Sequence, residues 1–189
     1  MAFTRRDFVD RAFKSSVLAL SFELGGATLR LTPGEARAQD VPLRNLDSEQ
    51  VRRLELLAET ILPGATDAGI VHFIDHQLGE DPDNALLLAK YFNVRPPFSS
   101  FYGAGLNVAN GMAQDSMNKS LEELNSSELQ QLVRAMSAPT AIVDGFPAVL
   151  FYICLRSDCV DVVYGTPEGF QKLNIPYMEH ISPPENWNG

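Results

Sequence analysis

Apolar residues recur at helical spacing along much of the chain. Val51, Leu54, Leu57, Ala58, Ile61 and Leu62 share one face, with Arg52, Arg53, Glu55 and Glu59 mostly opposite, the period of an amphipathic helix. Asp47 stands at its N-cap position, Gln50 three residues on completes a capping-box pattern, and Pro63-Gly64 stops it. Asp67-Ala68-Gly69 opens a second helix through Val71, Ile74 and Leu78 to Gly79, and a third is expected over residues 82–92. Between residues 93 and 115 the period loosens. Arg95-Pro96-Pro97 precedes Phe98, Phe101 and Tyr102, and glycine recurs at 103, 105 and 111, which predicts irregular backbone or short turns. Helical spacing returns over residues 119–136 through Leu121, Leu124, Leu129, Leu132 and Val133, with Ser126 and Ser127 as caps for its second part. Residues 147–155 form a dense apolar helix containing Phe151 and Tyr152, and a strand-like pattern is confined to residues 160–164. The pattern predicts an all-α fold: a single domain of five or six helices.

The chain of 189 residues with 45% hydrophobic content suits one such domain, which needs no crosslink to bury about two thirds of its unfolded surface. Residues 39–163 are assigned to the helical domain and 164–189 to an extended C-terminal arm. That arm holds Pro167, Pro176, Pro183 and Pro184 with Phe170, Tyr177 and Trp187. Proline keeps a segment extended and lowers the entropy lost on binding. Tyr164, Gly165, Pro167, Phe170, Pro176, Tyr177 and Trp187 are therefore the expected partner interface, and a tail folded back on its own helices is the alternative.

Residues 1–38 read as an address. Thr4-Arg5-Arg6-Asp7-Phe8-Val9 resembles the twin-arginine export signal, with Arg5, Arg6 and Phe8 as its marks. A modestly apolar stretch over residues 17–31 follows, interrupted by Glu23 and Arg30 and too short to span a bilayer. Ala36-Arg37-Ala38 offers the small-x-small pattern of a cleavage site, with Gln39 as the new first residue. Cleavage there would change the net charge from −9 to −11, because six basic and four acidic residues leave with the leader. The expected location is the periplasm, reached by a route that carries passengers already folded.

An acidic chain argues against a phosphate-binding surface and hence against nucleic-acid partners. Cys154 and Cys159 are the only cysteines, too few for an iron–sulfur cluster. A local disulfide between them is expected in an oxidising compartment, worth about 2 kcal/mol for so small a loop. It requires Arg156-Ser157-Asp158 to break the helix; two buried thiols are the alternative. His72 and His76 lie four apart, a spacing that can bind a metal, but no third ligand accompanies them and the H-E-x-x-H pattern is absent. Surface or interface histidines are the expectation, so no metal site is assigned. Gly103-Ala104-Gly105 lacks the strand, third glycine and helix of a dinucleotide loop, so no cofactor is assigned to this chain, and no catalytic residue either.

Two stretches resemble the gluconate 2-dehydrogenase subunit 3 family. One is Ala58-Glu59-Thr60-Ile61-Leu62-Pro63-Gly64-Ala65-Thr66-Asp67-Ala68-Gly69, continued by Val71-His72-Phe73-Ile74-Asp75. The other is Leu155-Arg156, then Asp161-Val162-Val163-Tyr164-Gly165, before Gly169-Phe170 and Ile175-Pro176-Tyr177. The resemblance implies a non-catalytic small subunit that stabilises an exported FAD-dependent dehydrogenase of the glucose–methanol–choline type and supplies its export signal. FAD would sit in the large subunit, and electrons would leave through a c-type cytochrome. Tyr164-Gly165-Thr166-Pro167 departs from the commoner Tyr-Gly-Gly-Asn, which leaves sugars, glycosides and sugar acids open as substrates and the glucoside 3-dehydrogenase branch open as the closer kin. The alternatives are a free-standing exported metal-dependent enzyme and a periplasmic chaperone released after export.

Overall fold

The computed structural model describes residues 18–174. Two antiparallel strands, β1 (Leu20–Leu24) and β2 (Ala27–Leu31), pair with Leu20 opposite Leu31 and Leu24 opposite Ala27. Helix α1 (Pro33–Ala38) follows directly. The Thr32 hydroxyl accepts the Glu35 N–H and the Glu35 carboxylate accepts the Thr32 N–H, so two of the donors a helix start leaves open are satisfied reciprocally. Helix α2 (Ser48–Ile61) begins with the same device, built from Asp47 and Gln50 as the sequence predicts. Helix α3 (Ile70–Gly79) starts at Gly69. After a 3-10 turn (Leu88–Phe92) come α4 (Phe98–Met117), a second 3-10 turn (Leu121–Glu123) and α5 (Ser126–Met136). A two-residue strand pair, β3 (Ile142–Val143) and β4 (Phe146–Pro147), leads into α6 (Ala148–Tyr164) and α7 (Pro167–Lys172). The fold is the expected mainly helical single domain, with seven α-helices among the described residues.

Four local expectations are corrected. Residues 82–92 hold turns and a 3-10 turn in place of a third α-helix. The glycine-containing stretch expected to be irregular is the longest helix, α4, of 20 residues. The N-cap of α5 is Asn125, whose side chain accepts the N–H groups of Ser127 and Glu128. Residues 160–164 continue α6 as helix, not strand, and Arg156-Ser157-Asp158 does not interrupt it.

Helix α6 occupies the centre, packing against α2, α3, α4, α5, α7 and the first 3-10 turn. Its Phe151, Cys154, Leu155 and Cys159 are fully buried. Phe101, Tyr102, Phe146 and Phe151 form an aromatic cluster with ring centroids 5.5 to 6.5 Å apart for Phe146 against Phe101 and Phe151, mostly edge-to-face, as ring quadrupoles favour. Helix α4 reaches α6 because Gly105 has no side chain: a Cβ there would lie 2.4 Å from the Phe151 ring. The glycine is a contact, not a breaker.

Candidate functional site

Asp158 is fully buried in α6. The Tyr102 hydroxyl of α4 donates to its Oδ2, and the Leu88 N–H donates to Oδ1 at 3.4 Å. Burial pushes the carboxyl up to about 7, against the two hydrogen bonds that favour its charged form. Burial and the neighbouring carboxylate raise the Tyr102 phenol well above its ordinary value. This network ties three elements together inside a closed core.

Asp75 of α3 serves the entry to α2. Its carboxylate accepts the N–H groups of Arg44, Asn45 and Leu46 at 2.7 to 2.9 Å, while the Asn45 side chain donates to the Asp75 carbonyl at 2.7 Å. Such charge-assisted bonds are the stronger kind. Glu59 holds the Pro63-Gly64 turn in the same way, accepting from Gly64 N–H at 2.8 Å and Thr66 N–H at 3.2 Å. The Gly64 bond is the main reason its carboxyl lies below the usual range.

His72 and His76 face the N-terminal segment. The His72 Nε2 lies 3.1 Å from the Val41 carbonyl, and its buried Nδ1 has no partner; burial holds its basicity down. The His76 Nε2 lies 3.0 Å from the Ser21 carbonyl, and the Gln77 amide stands 3.3 Å from its Nδ1. A carbonyl can only accept, so both Nε2 atoms carry protons and donate. That commits both Nε2 atoms to the N-terminal segment. The expected surface or interface histidines are instead part-buried internal ties. No group of three potential metal-ligating side chains occurs among the described residues.

A groove of 640 Å³ runs between α2 and α5 and is lined by Arg52, Glu55, Leu56, Glu59, Thr60 and Leu129 among others. Glu59 is committed to the turn above through both of its carboxylate oxygens. Gly103-Ala104-Gly105 lies inside α4, where its amides are spent on the helix, and Gly105 is closed off by Phe151.

The residues singled out in the sequence are placed as follows. Cys154 and Cys159 are free, buried thiols on one unbroken helix, where residues five apart point about 140° away from each other; the expected disulfide is corrected on that geometry. Burial pushes the Cys154 thiol up to about 12. Ala36 is fully buried within α1 and Ala38 is its last residue, exposed. Tyr164 ends α6 half-buried, Gly165 is its C-cap, Pro167 opens α7, and Phe170 lies half-buried on α7. The arm is thus helical, not extended, at its beginning. Arg5, Arg6, Phe8, Pro176, Tyr177 and Trp187 lie outside the described residues.

Sequence reasoning missed a different surface. The apolar residues of α6 are not confined to one stripe, and Ile153 and Val160 stand exposed beside Arg156 on one face. A helix whose apolar positions are not confined to one stripe is ordinarily covered on more than one side. The 3-10 turn beside it exposes Tyr91 (69%) and Phe92 (49%), where aromatic side chains are ordinarily half-covered or more. No helix among the described residues is long and apolar enough to cross a membrane.

Comparison with curated proteins and with solved structures returns no match. The family described as gluconate 2-dehydrogenase subunit 3 matches residues 48–182, which takes in everything from α2 to α7. By that match, over well more than half its length, the chain belongs to the gluconate 2-dehydrogenase subunit 3 family.

Proposed function

We propose that the chain is a non-catalytic small subunit that binds, stabilises and escorts the export of a FAD-dependent dehydrogenase of the glucose–methanol–choline type. The partner oxidises a CH–OH group of a sugar, glycoside or sugar acid in the periplasm and passes electrons to a c-type cytochrome. Family membership supports the association with a dehydrogenase. The observation that carries the reading is the outer face of α6, where Ile153 and Val160 stay 39% and 40% exposed beside Arg156 on a helix whose apolar residues are not confined to one stripe. With Tyr91 and Phe92 nearby in the fold, it offers the aromatic and aliphatic anchors on which interfaces concentrate their energy. An obligate contact of this kind buries more than about 2,000 Å².

The test is co-expression of the large subunit with the chain, without it, and with Ile153→Asp/Val160→Asp. Soluble, exported, active large subunit is expected with the native chain alone, and the double variant is expected to stay helical while failing to co-purify. Equal yield, export and activity in all three cases would refute the proposal.

A further inference from the structure

The segment that reads as a leader is built into the fold. Phe22 and Val41 are nearly buried and Ala36 completely so, forming a small second core with Leu20, Leu24 and Leu31 packed against it. Helix α1 lies on α3. The contact is so close at Gly69, in the left-handed region at φ 85°, that a Cβ there would stand 2.1 Å from the Pro33 carbonyl. The Phe22 ring meets the His76 ring edge-on at 5.1 Å, and both histidines of α3 donate to carbonyls of this segment, His76 to Ser21 and His72 to Val41. Arg37 pairs with Asp67 across the same junction at 3.2 Å.

We infer that residues 20–38 are a permanent brace of the folded subunit, and that the bond between Ala38 and Gln39 is left intact in the exported protein. A peptidase draws its substrate out as an extended strand. Here the small residues flanking that bond are wound into α1, with Ala36 N–H bonded to Thr32 O, Gln39 N–H to Glu35 O and Val41 N–H to Ala36 O, all within 3.1 Å. Cutting requires α1 to unwind and the small core to open, so the rate scales with the population of that open form. A passenger that folds before transport presents the site already closed. The processing half of this inference rests on the twin-arginine reading; the brace does not.

The experiment uses the full chain with a C-terminal tag, produced in an export-competent host. Intact mass and N-terminal sequencing of the periplasmic protein should show a first residue upstream of Leu20; a chain beginning at Gln39 overturns the inference. Hydrogen exchange on the same protein should protect the amides of Phe22, Ala36, Gln39 and Val41 like those of α3, whereas free exchange there overturns the brace itself. Phe22→Asp should leave α2 to α6 protected and speed both exchange and cutting at Ala38–Gln39 at least about tenfold, the effect of losing ~1.4 kcal/mol of docking; an unchanged rate again counts against the brace. If Arg5→Lys/Arg6→Lys does not alter location, the export reading falls alone, and hydrogen exchange still decides the brace.

Discussion

Replacing Asp158 with asparagine isolates the energetic weight of the buried carboxyl. The native carboxyl sits at about 7 against an ordinary 3.8, so the folded state holds a proton that the unfolded state has released. A rise from 3.8 to about 7 corresponds to about 4 kcal/mol, which is present below the lower value and lost as pH rises through the upper one. The wild type should therefore lose about 1.4 kcal/mol per pH unit from this group between roughly pH 4 and 7. Asp158→Asn removes the titration while keeping an oxygen for the Leu88 N–H and a partner for the Tyr102 hydroxyl. Urea unfolding followed by far-ultraviolet circular dichroism at half-unit steps from pH 4.5 to 8 provides the measurement. The two proteins should be similar in stability at the acid end, and the variant should exceed the wild type by several kcal/mol at the alkaline end. His72 pulls the other way, since burial lowers its pKa and its contribution is lost as pH falls below about 6.5. It is common to both proteins and cancels in the difference. Parallel stability curves for the two would refute the account of Asp158.

Asp75→Ala strips the acceptor from three amides ahead of α2 and should cost about 3 kcal/mol in urea unfolding; a loss below half a kcal/mol would show those amides are served by something else. Gly105→Ala should lower the melting temperature by several degrees, because overpacking against Phe151 costs about 1–3 kcal/mol. An unchanged or higher value would mean that α4 and α6 part easily. Cys154 and Cys159 should resist alkylation at pH 8 in the native protein and react in denaturant, because both are buried thiols with the Cys154 pKa raised to about 12. A two-hydrogen mass deficit in unreduced protein would instead reveal a disulfide.

Helices α2 and α3 are legible in the sequence because local chemistry and global packing agree there. Asp47 and Gln50 make the capping box their spacing announces, and Pro63-Gly64 makes the turn. Helix α4 is hidden because Gly103, Gly105 and Gly111 carry the signature of a loop, while the need for Gly105 arises from Phe151, 46 residues away in sequence. The continuation of α6 is hidden for a related reason. Asp158 has the polarity of a helix terminus, and only Tyr102 and the Leu88 amide, brought by other elements, make it an interior residue. Gly25-Gly26 between alternating residues is a hairpin signal, masked by a reading of the whole segment as a leader. The outer face of α6 could be found in the sequence by one sign: seventeen residues with almost no polar stripe.

The placement of α6 has a consequence for synthesis. The helix that touches nearly every other element starts at Ala148, so it leaves the ribosome after every element from β1 to β4. Until then α2, α4 and α5 can pack on one another, but the faces they turn toward α6 stay open to solvent. Long-range closure of this kind is slow and exposes the nascent chain to aggregation. The core of the domain therefore closes only once α6 has been made, and a chaperone guarding the interval has its work between the emergence of α2 and that of α6.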